Sequence, residues 1–311
     1  MNKRIIIGID HGFRNMKTKD HCFPSAIEEI SNIPSEPGGI EDILVYKGKF
    51  YTINAKNISA AMSHDKANSP EYYLLTLAAI AKQCRTYGIT DGNLYIAAGL
   101  PQAWYLKQKN SFQQFLMKER NLKYQFAGIQ YNFYLSDVSI FAQGQAAAID
   151  YIVSHKGQDF LVVDIGGETL DLLFFQNGKL SFNESKPSRK AMIYLHQKIS
   201  DAILAETETP ITGNSFIENY INSESKEEKP KNKFFSIVQR ELISYSKLVF
   251  QIIAEHGFSL DILPVIFVGG GAKIIRKFGT YENYYDVTFE EDIHANAKGY
   301  ERFENITLKR K

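Results

Sequence analysis

Ile7-Gly8-Ile9-Asp10-His11-Gly12-Phe13-Arg14-Asn15-Met16-Lys17 and Val162-Val163-Asp164-Ile165-Gly166-Gly167-Glu168-Thr169-Leu170-Asp171 are two versions of one pattern. In each, a β-branched, apolar run reads as a buried strand and ends in Asp-x-Gly. A third strand, 264–268, runs into Gly269-Gly270-Gly271. Glycine lets a tight turn aim successive backbone N–H groups into one concavity, which binds phosphate oxygens without charged side chains. Asp10 and Asp164 sit where their strands end, as hard oxygen ligands suited to a cation that keeps most of its waters. Lys17, seven residues after Asp10, supplies a point charge for phosphates. Any one of these turns is also an ordinary strand-end glycine turn; their recurrence after matching strands is what points to a ligand.

Around these turns the pattern alternates strand and helix. A hairpin is predicted at 43–53 around Lys47-Gly48. A helix is predicted over 69–87, with Ser69 as N-cap and Pro70 at the first helical position. A strand at 93–99, a helix over 102–121 and a second helical stretch over 143–154 follow. After the second Asp-Gly turn come a hairpin at Asn177-Gly178, helices over 190–206 and 234–256, a short helix at 272–277 and a closing helix over 292–303. The charged segment 223–231 reads as a solvated loop. Tyr281, Tyr284 and Tyr285 read either as a half-buried strand or as a contact surface.

The 311 residues, at roughly 150 per domain, predict about two domains. Hydrophobic residues at 44% and charged residues at 23% are ordinary for a folded chain and exclude a disordered or fibrous one. With 36 Lys and Arg against 35 Asp and Glu, the net charge of +1 gives no bulk attraction to nucleic acid or an anionic membrane. The apolar runs are too short for a signal peptide or a bilayer span, and Cys22 and Cys84 lack metal-type spacing, so a reducing cytoplasm is expected. On that reading the sequons at Asn57, Asn183 and Asn305 are chance matches. No P-loop, dinucleotide fingerprint, HExxH or CxxC pair occurs.

The three turns, in this order and over nearly the whole chain, resemble those of the actin-like ATPases, which include sugar kinases and Hsp70-type chaperones. Ala98-Gly99-Leu100-Pro101 and Ala295-Asn296-Ala297-Lys298-Gly299-Tyr300 are similar to stretches of the ParM-type plasmid-segregation actins. The resemblance implies an α/β, actin-like fold with two related domains, each a five-stranded mixed sheet, around a cleft holding ATP and Mg²⁺. Domain I would comprise 1–152 with the closing helix 292–305, and domain II 153–291.

It further implies that Asp10, Gly12, Phe13, Arg14, Asn15 and Lys17 form the first phosphate loop, and Asp164, Gly166, Gly167, Glu168 and Thr169 the second. Asp10 and Asp164 would serve the metal, and Gly269, Gly270 and Gly271 would pack under the adenosine. Gln143 matches the residue that orients the attacking water; Gln145 is its rival, and helix capping the structural alternative. Phe13 replaces a small hydroxyl residue of the family pattern. Glu168 replaces a non-acidic one and is expected to turn outward or pair with Arg14. Lys190, Arg240 and Lys247 are on plausible helices, with nothing selecting an adenine pocket among them.

The expected function is an ATPase that polymerises head to tail and segregates plasmid DNA through a ParR-type adaptor, with no direct nucleic-acid or membrane contact. The length is expected to exclude an Hsp70-type substrate domain. A small-molecule kinase, which would need a carboxylate base such as Asp137 or Asp150, and a non-polymerising nucleotide-dependent regulator are the alternatives.

Overall fold

A computed structural model describes residues 4–32, 42–53, 66–211, 213, 215–222 and 233–310. The charged segment 223–231 and Asn57 lie outside the described residues. In chain order the elements begin β1 (Arg4–His11), β2 (Asn15–Lys17), β3 (Cys22–Pro24), β4 (Glu28–Ile30), β5 (Ile43–Tyr46) and β6 (Lys49–Thr52). Then come α1 (Pro70–Thr86), β7 (Asp91–Leu100), α2 (Gln102–Leu116), β8 (Asn121–Phe126), β9 (Ile129–Ala142) and α3 (Ile149–Ser154). These are followed by β10 (Phe160–Ile165), β11 (Leu170–Gln176), β12 (Lys179–Leu180), β13 (Lys186–Ser188), α4 (Met192–Thr207), α5 (Ser215–Asn222) and α6 (Lys233–Glu255). The chain closes with β14 (Val265–Val268), α7 (Ala272–Phe278), β15 (Val287–Phe289) and α8 (Ala295–Arg310). It divides into two compact units, Met1–Ile149 with Ile293–Lys311, and Asp150–Asp292.

The first unit is built on a nine-stranded mixed sheet in the order β3-β2-β1-β7-β9-β8-β5-β6-β4. The second unit has a six-stranded sheet, β12-β11-β10-β14-β15, with β13 on β11. Both exceed the expected five strands. In the first unit the extra strands come partly from β8 and β9, a hairpin closed by Ala127 (φ 50°) and Gly128 (φ 75°). The alternating burial of Asn121–Phe126 is the signature of a strand with one wet face, and the residue pattern Asn-Leu-Lys-Tyr-Gln-Phe already carries it. The parallel strands β1, β7 and β9 form the middle of this sheet, and the parallel pair β10 and β14 the middle of the other. Both β10 and β14 are buried along their full length, as strands covered on both faces require.

Two apolar cores result. Ile7, Ile9, Leu94, Ile96, Tyr72 and Phe112 belong to the first, and Leu161, Val163, Ile199, Val249 and Phe267 to the second. The 43–52 and 176–180 hairpins form with two-residue turns, Lys47-Gly48 and Asn177-Gly178, all at positive φ. Ser69 stands at the N-cap of α1, but its hydroxyl donates to the Glu71 carboxylate at 2.7 Å instead of capping a backbone N–H.

Two further expectations are corrected. Residues 143–148 form turns, and helix α3 begins only at Ile149. The last strand, β15, follows the tyrosines: Tyr281 and Tyr284 pack on Phe289 and Phe250, while Tyr285 is 68% exposed.

The closing helix α8 packs on β1 and β7 where those strands carry glycine, at Gly8 and Gly99. A Cβ on Gly8 would come within 1.9 Å of the Ala297 carbonyl oxygen, and one on Gly99 within 1.9 Å of the Tyr300 hydroxyl oxygen. One on Gly299 would meet the Ala146 carbonyl oxygen at 2.0 Å. Ala97, Ala146 and Tyr300 form a small core of their own where helix, sheet and turn meet. No described helix is long and apolar enough to cross a membrane.

Candidate functional site

In the first unit the carboxyl ends of parallel strands β1 and β9 bring Asp10 and Gln143 together. The antiparallel turn from β1 to β2 sets Lys17 directly across from Asp10, so the two share a face. Lys17 Nζ donates to Asp10 Oδ2 at 3.2 Å, and Gln143 Nε2 donates to Asp10 Oδ1 at 2.9 Å. Asp10 is 4% exposed, and each of its oxygens accepts a bond. A carboxylate only accepts, so this contact fixes the Gln143 amide with its oxygen turned away from Asp10.

Gln143 holds its place through its neighbours and caps no helix. Its N–H donates to the Leu100 carbonyl at 2.9 Å, and the Gly144 N–H donates to Asn296 Oδ1 at 3.0 Å. Gly144, at φ 73°, takes a backbone conformation that the expected helix would not allow. The Gln145 N–H donates back to the Gln143 carbonyl at 2.8 Å.

The first turn is fastened from several sides. A Cβ on Gly12 would lie 2.4 Å from the Asn15 carbonyl oxygen, so glycine is needed for close approach. Ser25 Oγ donates to the Gly12 carbonyl at 2.7 Å, and the Ser25 N–H to the Arg14 carbonyl at 2.9 Å. Phe13 packs against the first apolar core. Asn15 pairs in register with Pro24.

Beneath the turn, His11 is fully buried, and Thr76 uses its hydroxyl proton on the Tyr72 carbonyl at 2.6 Å. His11 Nε2 therefore donates to Thr76 Oγ1 at 2.8 Å. Burial, reinforced by the Lys66 cation, pushes the His11 pKa down to about 3 and keeps the ring neutral. Lys66, itself buried, donates to the His11 carbonyl and lies 5.6 Å from the Tyr72 ring centre. No motif marked Lys66 in the sequence.

The second unit repeats the hairpin and changes its chemistry. Strands β10 and β11 set Asp171 directly across from Asp164, at the position Lys17 takes across from Asp10. Asp164 is 7% exposed and Asp171 4%. Thr169 Oγ1 donates to Asp171 Oδ2 at 2.8 Å, while Asp171 Oδ1 is buried without a hydrogen-bond partner. Burial pushes the Asp171 pKa up to about 6, partly offset by the Thr169 bond. Sequence reading placed Asp171 in the motif without giving it a role; its spacing from Asp164, the same as Lys17 from Asp10, is the signal that could have found it.

The glycines here act chiefly in packing. The Gly166 N–H closes the turn on the Thr169 carbonyl at 2.9 Å. The Gly166 and Gly167 carbonyls accept the Met192 and Ile193 N–H groups, capping the start of α4. Glu168 is half-buried. The Gly271 N–H donates to the Ile165 carbonyl at 3.0 Å, stitching the third turn to the end of β10. Gly269, at φ 81°, would place a Cβ 2.5 Å from Asp164 Oδ1, and Gly271 one at 2.2 Å from the Ile165 side chain. Gly270 is open on that side. Asp164, Gly166, Gly167, Thr169 and Gly269 to Gly271 thus form one cluster at the carboxyl ends of β10 and β14, where α/β sheets bind ligands.

Among the described residues no group of three or more His, Cys, Asp or Glu side chains stands ready to hold a metal. The orphaned Asp171 oxygen beside Asp164 nevertheless suits a hard cation that takes its other ligands from water and phosphate.

Residues 8–145 match the family model described as the N-terminal domain of actin-like proteins. No curated protein matches the chain. Among solved structures, an archaeal actin homolog superposes with a TM-score of 0.80 at 18% identity, over 97% of this chain and 99% of that one. The same homolog has been solved in complex with ADP, with a TM-score of 0.74 at 19% identity over 97% and 99% of the two chains. The apo psk41 ParM protein gives 0.74 at 19% identity over 99% and 98% of the two chains. A 15-stranded ParM filament from Clostridium botulinum gives 0.71 at 17% identity over 98% and 100%. The chain therefore has the actin-like fold, with mixed α/β units and a first unit that matches the N-terminal domain of actin-like proteins.

Proposed function

We propose that this chain is an actin-like ATPase that binds ATP with Mg²⁺ and assembles head to tail into filaments. The observation that carries the reading is the Asp10, Lys17 and Gln143 cluster at the strand ends of the first unit. Lys17 is positioned to share its charge between Asp10 and phosphate oxygens. With its amide nitrogen committed to Asp10, Gln143 presents its oxygen to accept a proton of the attacking water and so orient it. An amide is too weak a base to deprotonate a sugar hydroxyl, which argues against a small-molecule kinase. Asp137, with Asp150 one of the two carboxylates such a kinase would recruit, accepts its neighbour Val138's N–H at 2.9 Å.

Asp10 in the first unit, and Asp164 with Asp171 in the second, would hold the metal. Mg²⁺, when bound, neutralises charge on the phosphates. Gly12, Phe13, Arg14 and Asn15 would line the phosphates on the first side, and Gly166, Gly167, Glu168 and Thr169 on the second. Gly269, Gly270 and Gly271 would lie under the adenosine.

The plasmid role, with a ParR-type adaptor carrying the DNA, draws support from the ParM proteins among the structural relatives. The near-neutral net charge supports an adaptor in place of direct DNA contact. The exposed free Cys22 fits a cytoplasmic setting. The test is ATP turnover and sedimentation of the purified chain with Mg²⁺ and ATP, ADP or no nucleotide. ATP-dependent pelleting with phosphate release supports the proposal; ATP binding with neither turns the reading to a nucleotide-dependent regulator.

A further inference from the structure

Gln143 is followed by a tight reversal. The Gln145 N–H bonds back to the Gln143 carbonyl at 2.8 Å with Gly144 between them at φ 73°, which makes a γ-turn. Such a turn is closed by one internal bond and leaves its central N–H unused. Gly144 is buried, so that N–H needs an acceptor, and Asn296 Oδ1 takes it at 3.0 Å. The run Gln145-Ala146-Ala147-Ala148 by itself favours helix, so the turn depends on what holds it from outside. Asn296 stands in the first turn of α8, a helix already tied to the other side of the site. Farther along α8, Glu301 accepts the Gly8 N–H at 3.1 Å, on the strand that carries Asp10. Gly299 shares the Asn296 face and lies close against the Ala146 carbonyl. One helix thus grips both the Asp10 strand and the Gln143 turn, and sets the 2.9 Å contact between Gln143 Nε2 and Asp10 Oδ1.

We propose that Asn296 is a positioning residue for ATP hydrolysis. By holding the γ-turn at Gly144 it keeps the Gln143 amide on Asp10, with the amide oxygen turned away from the carboxylate to orient water. Without this acceptor a buried N–H is left unpaired, the turn relaxes toward helix and the amide leaves Asp10. The first phosphate turn keeps its own supports, the pairing of β2 with β3 and the Ser25 bond to the Gly12 carbonyl, so ATP affinity is spared. The inference rests on the ATPase reading above and concerns the turnover step alone.

The test measures steady-state ATP turnover of the full chain beside ATP affinity by calorimetry. Asn296→Ala is expected to lower kcat about tenfold and to change ATP affinity less than about threefold. Asn296→Asp keeps an acceptor for the same N–H, near a helix start where negative charge is favoured, and is expected to restore kcat to within about threefold. In a Gln143→Ala background the same Asn296→Ala change is expected to cost no more than about twofold, because the residue it positions is gone. Asn305→Ala, exposed on the same helix, is expected to leave kcat unchanged. Thermal melts identify a variant that fails to fold; Asn296→Ser, whose shorter side chain keeps its oxygen out of reach of Gly144, then replaces Asn296→Ala. Full kcat in Asn296→Ala, a loss that Asn296→Asp does not restore, or an equal loss in the Gln143→Ala background overturns the inference and leaves the ATPase reading standing. A wild-type chain that binds ATP and turns none over overturns the ATPase reading, and this inference with it.

Discussion

The two Asp-Gly turns share a register and differ in the residue across the hairpin. Asp10 faces Lys17 and Asp164 faces Asp171, at the same seven-residue spacing. In the first turn a cation and an amide each donate to the one carboxylate, at 3.2 and 2.9 Å. The second holds two buried carboxylates, one with an orphaned oxygen and a pKa raised to about 6. One backbone device thus supports two chemistries, a preformed cationic contact in the first unit and a site that favours an incoming cation in the second. The supports differ as well. Side-chain bonds from Ser25, Gln143 and Lys17 hold the first turn, whereas glycine packing between Gly269, Gly271 and the end of β10 holds the second.

The largest expected effect breaks the second turn. Gly269→Ala meets both a positive φ and a Cβ contact 2.5 Å from Asp164 Oδ1, and should destabilise the chain by about 3 kcal/mol in urea melts. Gln143→Ala tests the first turn by kinetics: ATP hydrolysis should fall about a hundredfold while ATP affinity, read by calorimetry, changes less than about threefold.

Asp171→Asn sharpens the electrostatic contrast. The Asp171 pKa of about 6 exceeds the ordinary 3.8, so between those values the folded state holds a proton the unfolded state has released. Stability contributed by this group is present below about pH 4 and lost as pH rises through about 6. In chelator, Asp171→Asn should therefore raise stability at pH 7 by about 2 kcal/mol and flatten this part of the profile. Gly270→Ala is the smallest change: nothing lies within 4 Å of its Cβ position, and stability should shift by less than about 0.5 kcal/mol.

Much of this architecture was legible in the residues, because apolar strands ending in Asp-x-Gly impose both a sheet and a turn. The 43–52 and 176–180 hairpins followed from two-residue turns ending in glycine. The 143–148 segment did not follow, because its alanines favour helix locally while tertiary contacts hold turns. The Gly144 N–H is taken by Asn296, and Gly299 packs against Ala146, both across more than 150 residues of sequence. The pairing of Gln143 with Asp10 spans 133 positions, which no local pattern encodes. Lys66 lies in a short turn without any motif, and its bond to the His11 carbonyl arises only when that turn docks on β1.

The most direct test of the account is right-angle light scattering of the purified chain on addition of Mg²⁺ and ATP, read beside Asp164→Ala. The account predicts scattering that rises with ATP, stays low without nucleotide and is lost in the variant. ATP bound by the wild-type chain with no rise in scattering at any protein concentration would contradict it.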